Sequence, residues 1–138
     1  MDFLDPAARS HRMSLIRSRD TKPEMVVRSY LHKRGLRYRL HDSRLPGKPD
    51  LVFPKRGAVV FVHGCFWHGH ENCRRARLPE TTTAYWLSKI RKNKERDQLV
   101  AGRLRRLGWR VLTVWECQLS PTNLDRLYRR ISPPENRR

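Results

Sequence analysis

The chain has 138 residues, enough for one domain with a hydrophobic core and too few for two domains of ordinary size. Its 31 Lys and Arg residues against 13 Asp and Glu give a formal net charge of +18, which favours binding to DNA or RNA, although a basic surface that serves only solubility would give the same count. A membrane or secreted protein is disfavoured, because no stretch reaches about 20 apolar residues and the start of the chain does not resemble a signal peptide.

The chain opens with a basic segment and then a helix. Residues 1–20 lack firm periodicity, and we expect a basic N-terminal arm that its partner orders. Thr21 to Glu24 has the form of a capping box, in which the hydroxyl and the carboxylate bind backbone N–H groups at the helix start. The helix is expected to end at Gly35, since glycine readily adopts the left-handed conformation that closes many helices.

Strand signals follow the first helix. A short strand is expected at residues 37–41, and a turn-rich link covers residues 45–49. Residues 50–53 and 58–62 are apolar and are separated by Pro54-Lys-Arg-Gly57. Turn residues between two such runs predict a β-hairpin.

The longest helical pattern covers residues 84–107 and is closed by Gly108. Its apolar stripe consists of Leu87, Ile90, Ala101 and Leu104. Heptad spacing places Asp97 midway on this stripe, with Asn93 one turn earlier. A carboxylate there needs a partner such as an imidazole, unless the stripe rotates and leaves Asp97 in water.

The last elements are a strand at residues 110–116 and an amphipathic helix at 121–131. Residues 132–138 are expected to form a disordered tail. The order helix, strands, helix, strand, helix predicts an α/β fold in which helices flank a mixed sheet. We therefore expect a single domain over residues 21–131.

Residues 63–73, with the sequence HGCFWHGHENC, combine histidines, cysteines and aromatic residues in one short segment. Cys65, His70, Cys73 and the later Cys117 make a Cys₃His set of the kind that closes a structural zinc site. His68 could replace His70, and the cysteines could instead be small buried side chains without metal. Three cysteines suit a disulfide framework poorly, so we expect a reducing compartment, the cytoplasm.

A second group of residues could support phosphodiester hydrolysis. Asp50 opens a predicted strand, where a carboxylate can hold Mg²⁺, although a Pro-Asp pair is more often only a turn. An antiparallel hairpin would bring Asp50 close to Val62, whose carbonyl could be a second oxygen ligand. His63 and His68 are the proton-transfer groups available beside the strand end.

Large aromatic residues lie beside the cysteines and at the start of the long helix. Phe66 and Trp67 fall between the expected zinc ligands, and Tyr85 and Trp86 begin the helix. These rings could simply pack over the metal site. In a basic protein, rigid apolar wedges could also enter a DNA base stack and kink the duplex.

The chain resembles the very short patch repair (Vsr) endonuclease family over roughly residues 8–120. The segments that carry the resemblance are SRDTKPE, LPGKPDLVF, HGCFWHGHENC, WLSKIRKNKERD and LGWRVLTVWEC. The resemblance implies a PD-(D/E)xK-like nuclease core with structural zinc. It also implies an enzyme that nicks DNA 5′ of the thymine in T:G mismatches left by deamination of 5-methylcytosine, leaving a 3′-hydroxyl and a 5′-phosphate.

The resemblance also implies roles for individual residues. Asp50 would be the main Mg²⁺ ligand beside the Val62 carbonyl, and His68 the general base. The other catalytic residues that it implies are His63 at the scissile phosphate or leaving group, with Asp97 and Glu24 in support. Its zinc set is Cys65, His70, Cys73 and Cys117. Its DNA contacts are Phe66, Trp67 and Trp86 as a major-groove wedge, Met13 in the minor groove, and Lys89 and Asn93 near the mismatch.

Double-stranded DNA with a T:G mismatch is the partner that the resemblance implies, together with mismatch-repair proteins such as MutL. We expect a cytoplasmic monomer that associates with the nucleoid when it is on DNA. Phe61-Val62-His63 stands where restriction-enzyme relatives have an acidic-x-Lys element, as in the Vsr family. Two alternatives stay open: a PD-(D/E)xK nuclease that acts on other DNA, and a non-catalytic, zinc-stabilised DNA-binding module.

Overall fold

A computed structural model describes residues 20–132 of the chain. Its helices are α1 Lys22–Lys33, α2 Thr83–Arg106 and α3 Pro121–Ile131. Its strands are β1 Arg39–Leu40, β2 Leu51–Phe53, β3 Ala58–His63 and β4 Arg110–Trp115. Short 3-10 turns cover Pro54–Arg56 and Arg74–Ala76. Nearly all of the predicted arm, with Met13, and the predicted tail beyond residue 132 lie outside the described residues.

The four strands form one mixed sheet in the order β1-β2-β3-β4. The first two pairs are antiparallel, and β3 pairs in parallel with β4. Val60 lies opposite Leu51 on one side and Leu112 on the other. Gly57 has a φ of +64° and closes the predicted hairpin between β2 and β3. The predicted α/β fold with helices flanking a mixed sheet is therefore confirmed.

Helices cover both faces of the sheet. On one face, α1 and α3 contribute Leu31 and Leu127 to a core that contains Phe53 and Val60. On the other face, Val52 and Val59 pack with Leu104 of α2. Neighbouring residues of a strand point to opposite faces, so β2 and β3 supply side chains to both layers.

Local capping explains where the first and last helices begin. The Thr21 side chain accepts a hydrogen bond from the Glu24 N–H at 3.3 Å, as predicted. The Glu24 carboxylate does not bind the N–H of Thr21, but accepts from the N–H of Asp20 at 3.1 Å. In α3, the Ser120 side chain accepts from the Asn123 N–H at 3.2 Å, directly before Pro121.

The predicted stripe of α2 needs one correction. Leu87 is 46% exposed, whereas its neighbour Trp86 is 2% exposed, so the helix turns its larger side chain inward. Ile90 and Leu104 are buried as predicted. The first strand is also shorter than the predicted 37–41. No helix within residues 20–132 is both long and apolar enough to span a membrane.

The contrast between two leucines of α2 tests this packing. Leu104 is fully buried and Leu99 is 63% exposed. Leu104→Ala should lower the free energy of unfolding by about 2–5 kcal/mol, because it leaves a cavity in the core. Leu99→Ala should change it by less than about 0.5 kcal/mol. Denaturant unfolding of both variants measures the difference, and equal effects would contradict the orientation of α2.

Candidate active site

The end of β3 and the start of β2 bring the predicted catalytic residues together. Asp50 directly precedes β2, and the antiparallel register places it beside the last residues of β3. The Val62 N–H donates a hydrogen bond to Asp50 Oδ2 at 2.7 Å. The carboxylate of Asp50 and the main chain of Val62 are therefore adjacent, as expected from the hairpin.

Three titratable side chains lie next to this pair. His68 Nδ1 is 2.6 Å from Asp97 Oδ2, and both side chains are largely buried. The His63 ring stacks on the His68 ring, with centroids 3.8 Å apart and planes 3° from parallel. Asp97 thus has the imidazole partner expected for a carboxylate on an apolar helix face. A ring atom of each histidine and a carboxylate oxygen lie within 4.8 Å of one another.

These residues line an open cleft of about 770 Å³. The walls include Asp50, Val62, His63, His68, Asp97, Lys48, Arg96 and Arg105. Gly47 forms part of one wall at a φ of +74°, where a Cβ atom would overlap the side chain of Val100. Carboxylates, imidazoles and cationic side chains thus face the same space, which suits a phosphate group and a divalent cation bound together.

Gly69 lies between His68 and His70, which belong to different groups of side chains. It has a φ of +61°, and a Cβ atom there would lie 2.7 Å from Ile90 Cγ2. The His70 N–H donates to the Cys65 carbonyl at 2.9 Å, which closes the turn. This turn lets His68 contact Asp97 while His70 contacts Cys117.

The cysteines and His70 form a separate group beyond the cleft. One ligand atom each from Cys65, His70, Cys73 and Cys117 lies within 4.8 Å of the others. The sulfurs of Cys73 and Cys117 are 3.8 Å apart, and Cys117 Sγ is 3.4 Å from His70 Nδ1. A tetrahedral zinc shell with Zn–S bonds of about 2.3 Å gives roughly 3.8 Å between thiolates and 3.6 Å from thiolate to imidazole. The group therefore fits such an ion closely.

Burial affects the thiols of this group differently. Desolvation raises the pKa of Cys65, which is fully buried, to about 12. The pKa of Cys73 is lowered: desolvation opposes this, but the backbone N–H of Arg75 and the thiols of Cys65 and Cys117 stabilise the thiolate. Because metal ligands must be thiolates, binding of a metal would displace a proton from Cys65 and would weaken as the pH falls.

The aromatic residues of the loop pack on the start of α2. The Phe66, Trp67 and Trp86 rings meet edge to face, with centroids 5.3 to 5.7 Å apart. Trp67 and Trp86 are 6% and 2% exposed, whereas Phe66 is only half-buried. Phe66 is thus the ring of this aromatic cluster that the solvent reaches most readily.

The remaining predicted residues lie around the cleft and the aromatic cluster. Asn93 donates from Nδ2 to the Trp67 carbonyl at 2.8 Å, which ties α2 to the loop. Lys89 is half-buried one turn earlier on α2. Glu24 is 2% exposed and lines a small cavity of about 190 Å³, together with Asp50. Glu24 is therefore close to Asp50 but is not among the residues that line the cleft of His63 and His68.

Several residues of the site are missing from the sequence prediction, and Glu116 and His41 are two of them. Glu116 accepts a hydrogen bond from the Cys65 N–H at 2.9 Å, which links the residue after β4 to the loop that carries Cys65 and Cys73. His41 contacts Glu24. Only the position of Glu116 directly before Cys117 hinted at its role, and no local pattern connects His41 with a residue on the preceding helix.

Comparison with known proteins bears directly on this site. Residues 1–75 match the family model described as DNA mismatch endonuclease Vsr. The chain is 52% identical over 119 residues to the type II nicking enzyme V.XorIIP of Xanthomonas oryzae, covering 86% of this chain and 87% of that protein. It is 49% identical over 118 residues to the DNA mismatch endonuclease Vsr of Escherichia coli, covering 86% of this chain and 75% of that protein. With its clustered histidines, carboxylates and cysteines, the chain belongs to the Vsr family of DNA mismatch endonucleases.

Proposed function

We propose that this chain is an Mg²⁺-dependent endonuclease that nicks one strand of duplex DNA 5′ of the thymine in a T:G mismatch. Such mismatches arise by deamination of 5-methylcytosine, and the nick would start very short patch repair. The observation that carries the proposal is the Asp97–His68 contact at 2.6 Å in the cleft that Asp50 also lines. Membership of the Vsr family supports the choice of DNA and of mismatches.

The contacts of His68 suit a general base. Asp97 holds Nδ1, so the opposite ring nitrogen, Nε2, would accept the proton of the attacking water. A carboxylate on Nδ1 fixes the ring and stabilises the imidazolium that forms after proton transfer. His63, stacked on His68, would contact the scissile phosphate or the leaving group.

Asp50 and the carbonyl of Val62 would hold the Mg²⁺ ion, because this cation prefers oxygen ligands. When bound, Mg²⁺ would neutralise charge on the phosphate and lower the pKa of its water. Glu24, beside Asp50 around the smaller cavity, would hold waters of that ion. We propose that the core is PD-(D/E)xK-like, because Asp50 directly precedes β2 and Phe61-Val62-His63 ends β3 in a mixed sheet.

We propose that Cys65, His70, Cys73 and Cys117 bind a structural zinc ion. The distances from Cys117 Sγ to Cys73 Sγ and to His70 Nδ1 are close to those of a tetrahedral shell, and four protein ligands would leave no position for substrate. Zinc would fix the loop that carries His68 and the aromatic cluster, with Cys117 as the link to β4.

The aromatic cluster would read the mismatch as a wedge from the major groove. Phe66 would enter the base stack, while Trp67 and Trp86 hold it from behind. Lys89 and Asn93 would lie near the mismatch, and Met13 on the basic arm would contact the minor groove. The formal charge of +18 would provide sequence-independent affinity for the phosphate backbone.

The protein would act as a monomer in the cytoplasm and associate with the nucleoid when it is on DNA. Mismatch-repair proteins such as MutL would be further partners. A chromosomal DNA substrate supports the location.

The catalytic role of Asp50 predicts a loss of nicking without a loss of binding. Asp50→Ala should slow nicking of a T:G duplex by about 10³-fold or more, because it removes a metal ligand worth several kcal/mol in the transition state. Single-turnover nicking and gel-shift assays on T:G and matched duplexes measure both steps. Asp125→Ala, on the far helix α3, is the control. Equal cleavage of both duplexes would indicate a broader nuclease, and binding without cleavage by the wild type would indicate a non-catalytic module.

The two loop histidines should separate zinc binding from catalysis. His70→Ala should reduce zinc content below that of the wild type, as measured by native mass spectrometry. His68→Ala should keep its zinc but slow nicking by about 10²–10⁴-fold, the usual contribution of a general base. Zinc loss in His68→Ala with zinc retention in His70→Ala would reverse the two assignments.

The wedge proposal concerns discrimination between T:G and matched duplexes. Phe66→Ala should reduce that discrimination by about 1–3 kcal/mol, the usual value of one stacking contact. Phe66→Leu, which keeps much of the apolar volume, should lose less. Binding to both duplexes and thermal unfolding are measured together. Lower thermal stability with unchanged discrimination would assign Phe66 to packing alone.

A further inference from the structure

His41 follows β1 and makes a buried contact that the chemistry proposed above does not use. Its Nε2 atom lies 2.7 Å from Glu24 Oε2, and the two side chains are only 6% and 2% exposed. His41 has a φ of +46°, in the left-handed region that few residues other than glycine adopt.

His41 is also tied to Asp50. Its backbone N–H donates to the Asp50 carbonyl at 3.1 Å. Glu24 and Asp50 in turn line the same small cavity. One residue therefore contacts the main chain of the proposed metal ligand and the carboxylate of the proposed supporting acid.

Asp20, Glu24 and His41 form a cluster that could either bind a metal ion or orient Glu24, and the contacts of Arg28 decide between these two roles. Asp20, Glu24 and His41 are close enough to hold a metal ion of their own. However, Arg28 Nη1 lies 2.7 Å from Asp20 Oδ1 and 3.4 Å from Glu24 Oε2. The guanidinium already supplies a cation to both carboxylates, which favours orientation of Glu24 over binding of another ion.

We propose that His41 is a positioning residue for Glu24. The imidazole makes an ion-pair contact with Oε2, to which Arg28 also donates, while the N–H of Asp20 donates to Oε1 at 3.1 Å, so the carboxylate keeps one orientation beside Asp50. A fixed carboxylate there strengthens divalent-cation binding at Asp50 by holding the waters of the ion. This inference rests on the proposed metal role of Asp50.

Two substitutions separate the ring contact from the backbone conformation. His41→Asn keeps a residue that tolerates positive φ, but its amide is too short to reach Glu24. His41→Gln places an amide nitrogen the same number of bonds from Cβ as Nε2, and should restore the contact. His32→Asn, on the exposed face of α1, is the matched control. Thermal unfolding shows that each variant is folded.

The probe is Mn²⁺, with binding followed by electron paramagnetic resonance. The relevant Kd is that of the binding component absent in Asp50→Ala. His41→Asn should raise this Kd about 10-fold, at the lower end of the 10–100-fold typical of groups that support metal ligands. The Mg²⁺ concentration for half-maximal nicking should rise in parallel, whereas His41→Gln and His32→Asn should stay close to the wild type.

An unchanged Kd in folded His41→Asn would overturn the positioning role, and so would an equal loss in His41→Gln if its thermal stability matches that of His41→Asn. These outcomes are distinct from failure of the proposed function. A wild-type protein that binds Mn²⁺ through Asp50 but does not nick the T:G duplex would overturn the nuclease proposal alone, because the metal affinities of the variants are read without catalysis.

Discussion

Strand β3 is hydrogen-bonded along both edges, and the positions of the side chains in the site depend on where this strand ends. Antiparallel pairing with β2 sets Asp50 beside Val62, and parallel pairing with β4 sets Trp115 beside His63. A slip of one residue in either register would turn these side chains to the opposite face. The buried side chains of Val59 and Val60 oppose such a slip, because each is packed against a different helical layer. The core therefore determines the geometry of the site.

The loop after β3 serves two groups that need different surroundings. A proton-transfer histidine needs a carboxylate partner and access to substrate, whereas a structural metal site needs closed coordination. Gly69 allows both kinds of surroundings within a few residues of the loop. Its left-handed turn directs His68 toward α2 and His70 toward Cys117. Glu116 adds a link from β4 to the Cys65 N–H. Fixing the cysteines would thus also fix the histidine in the cleft.

Sequence signals predicted this structure where the determining interactions are local. Thr21, Gly57 and Pro121 mark element boundaries through capping and turn chemistry, and the observed elements begin or end beside them. The exposure of Leu87 was predicted wrongly, because periodicity cannot weigh a leucine against the larger neighbouring Trp86. Contacts between distant segments, such as His41 with Glu24, depend on how β1 packs against α1 and leave no periodic trace in the sequence.

The acidic residues of the site are held in place within a strongly cationic chain. Asp97 contacts His68, Asp50 accepts the Val62 N–H, and Glu24 contacts His41 and Arg28. General positive charge would draw a polyanion to the surface, but it would not fix one phosphate for reaction. Asp50 and Asp97, which line one cleft, would add a local preference for a divalent cation, and that cation would bridge protein and phosphate. The excess of basic residues and the few oriented acids are thus complementary: the first would supply affinity for DNA, and the second would hold a cation at the reacting phosphate.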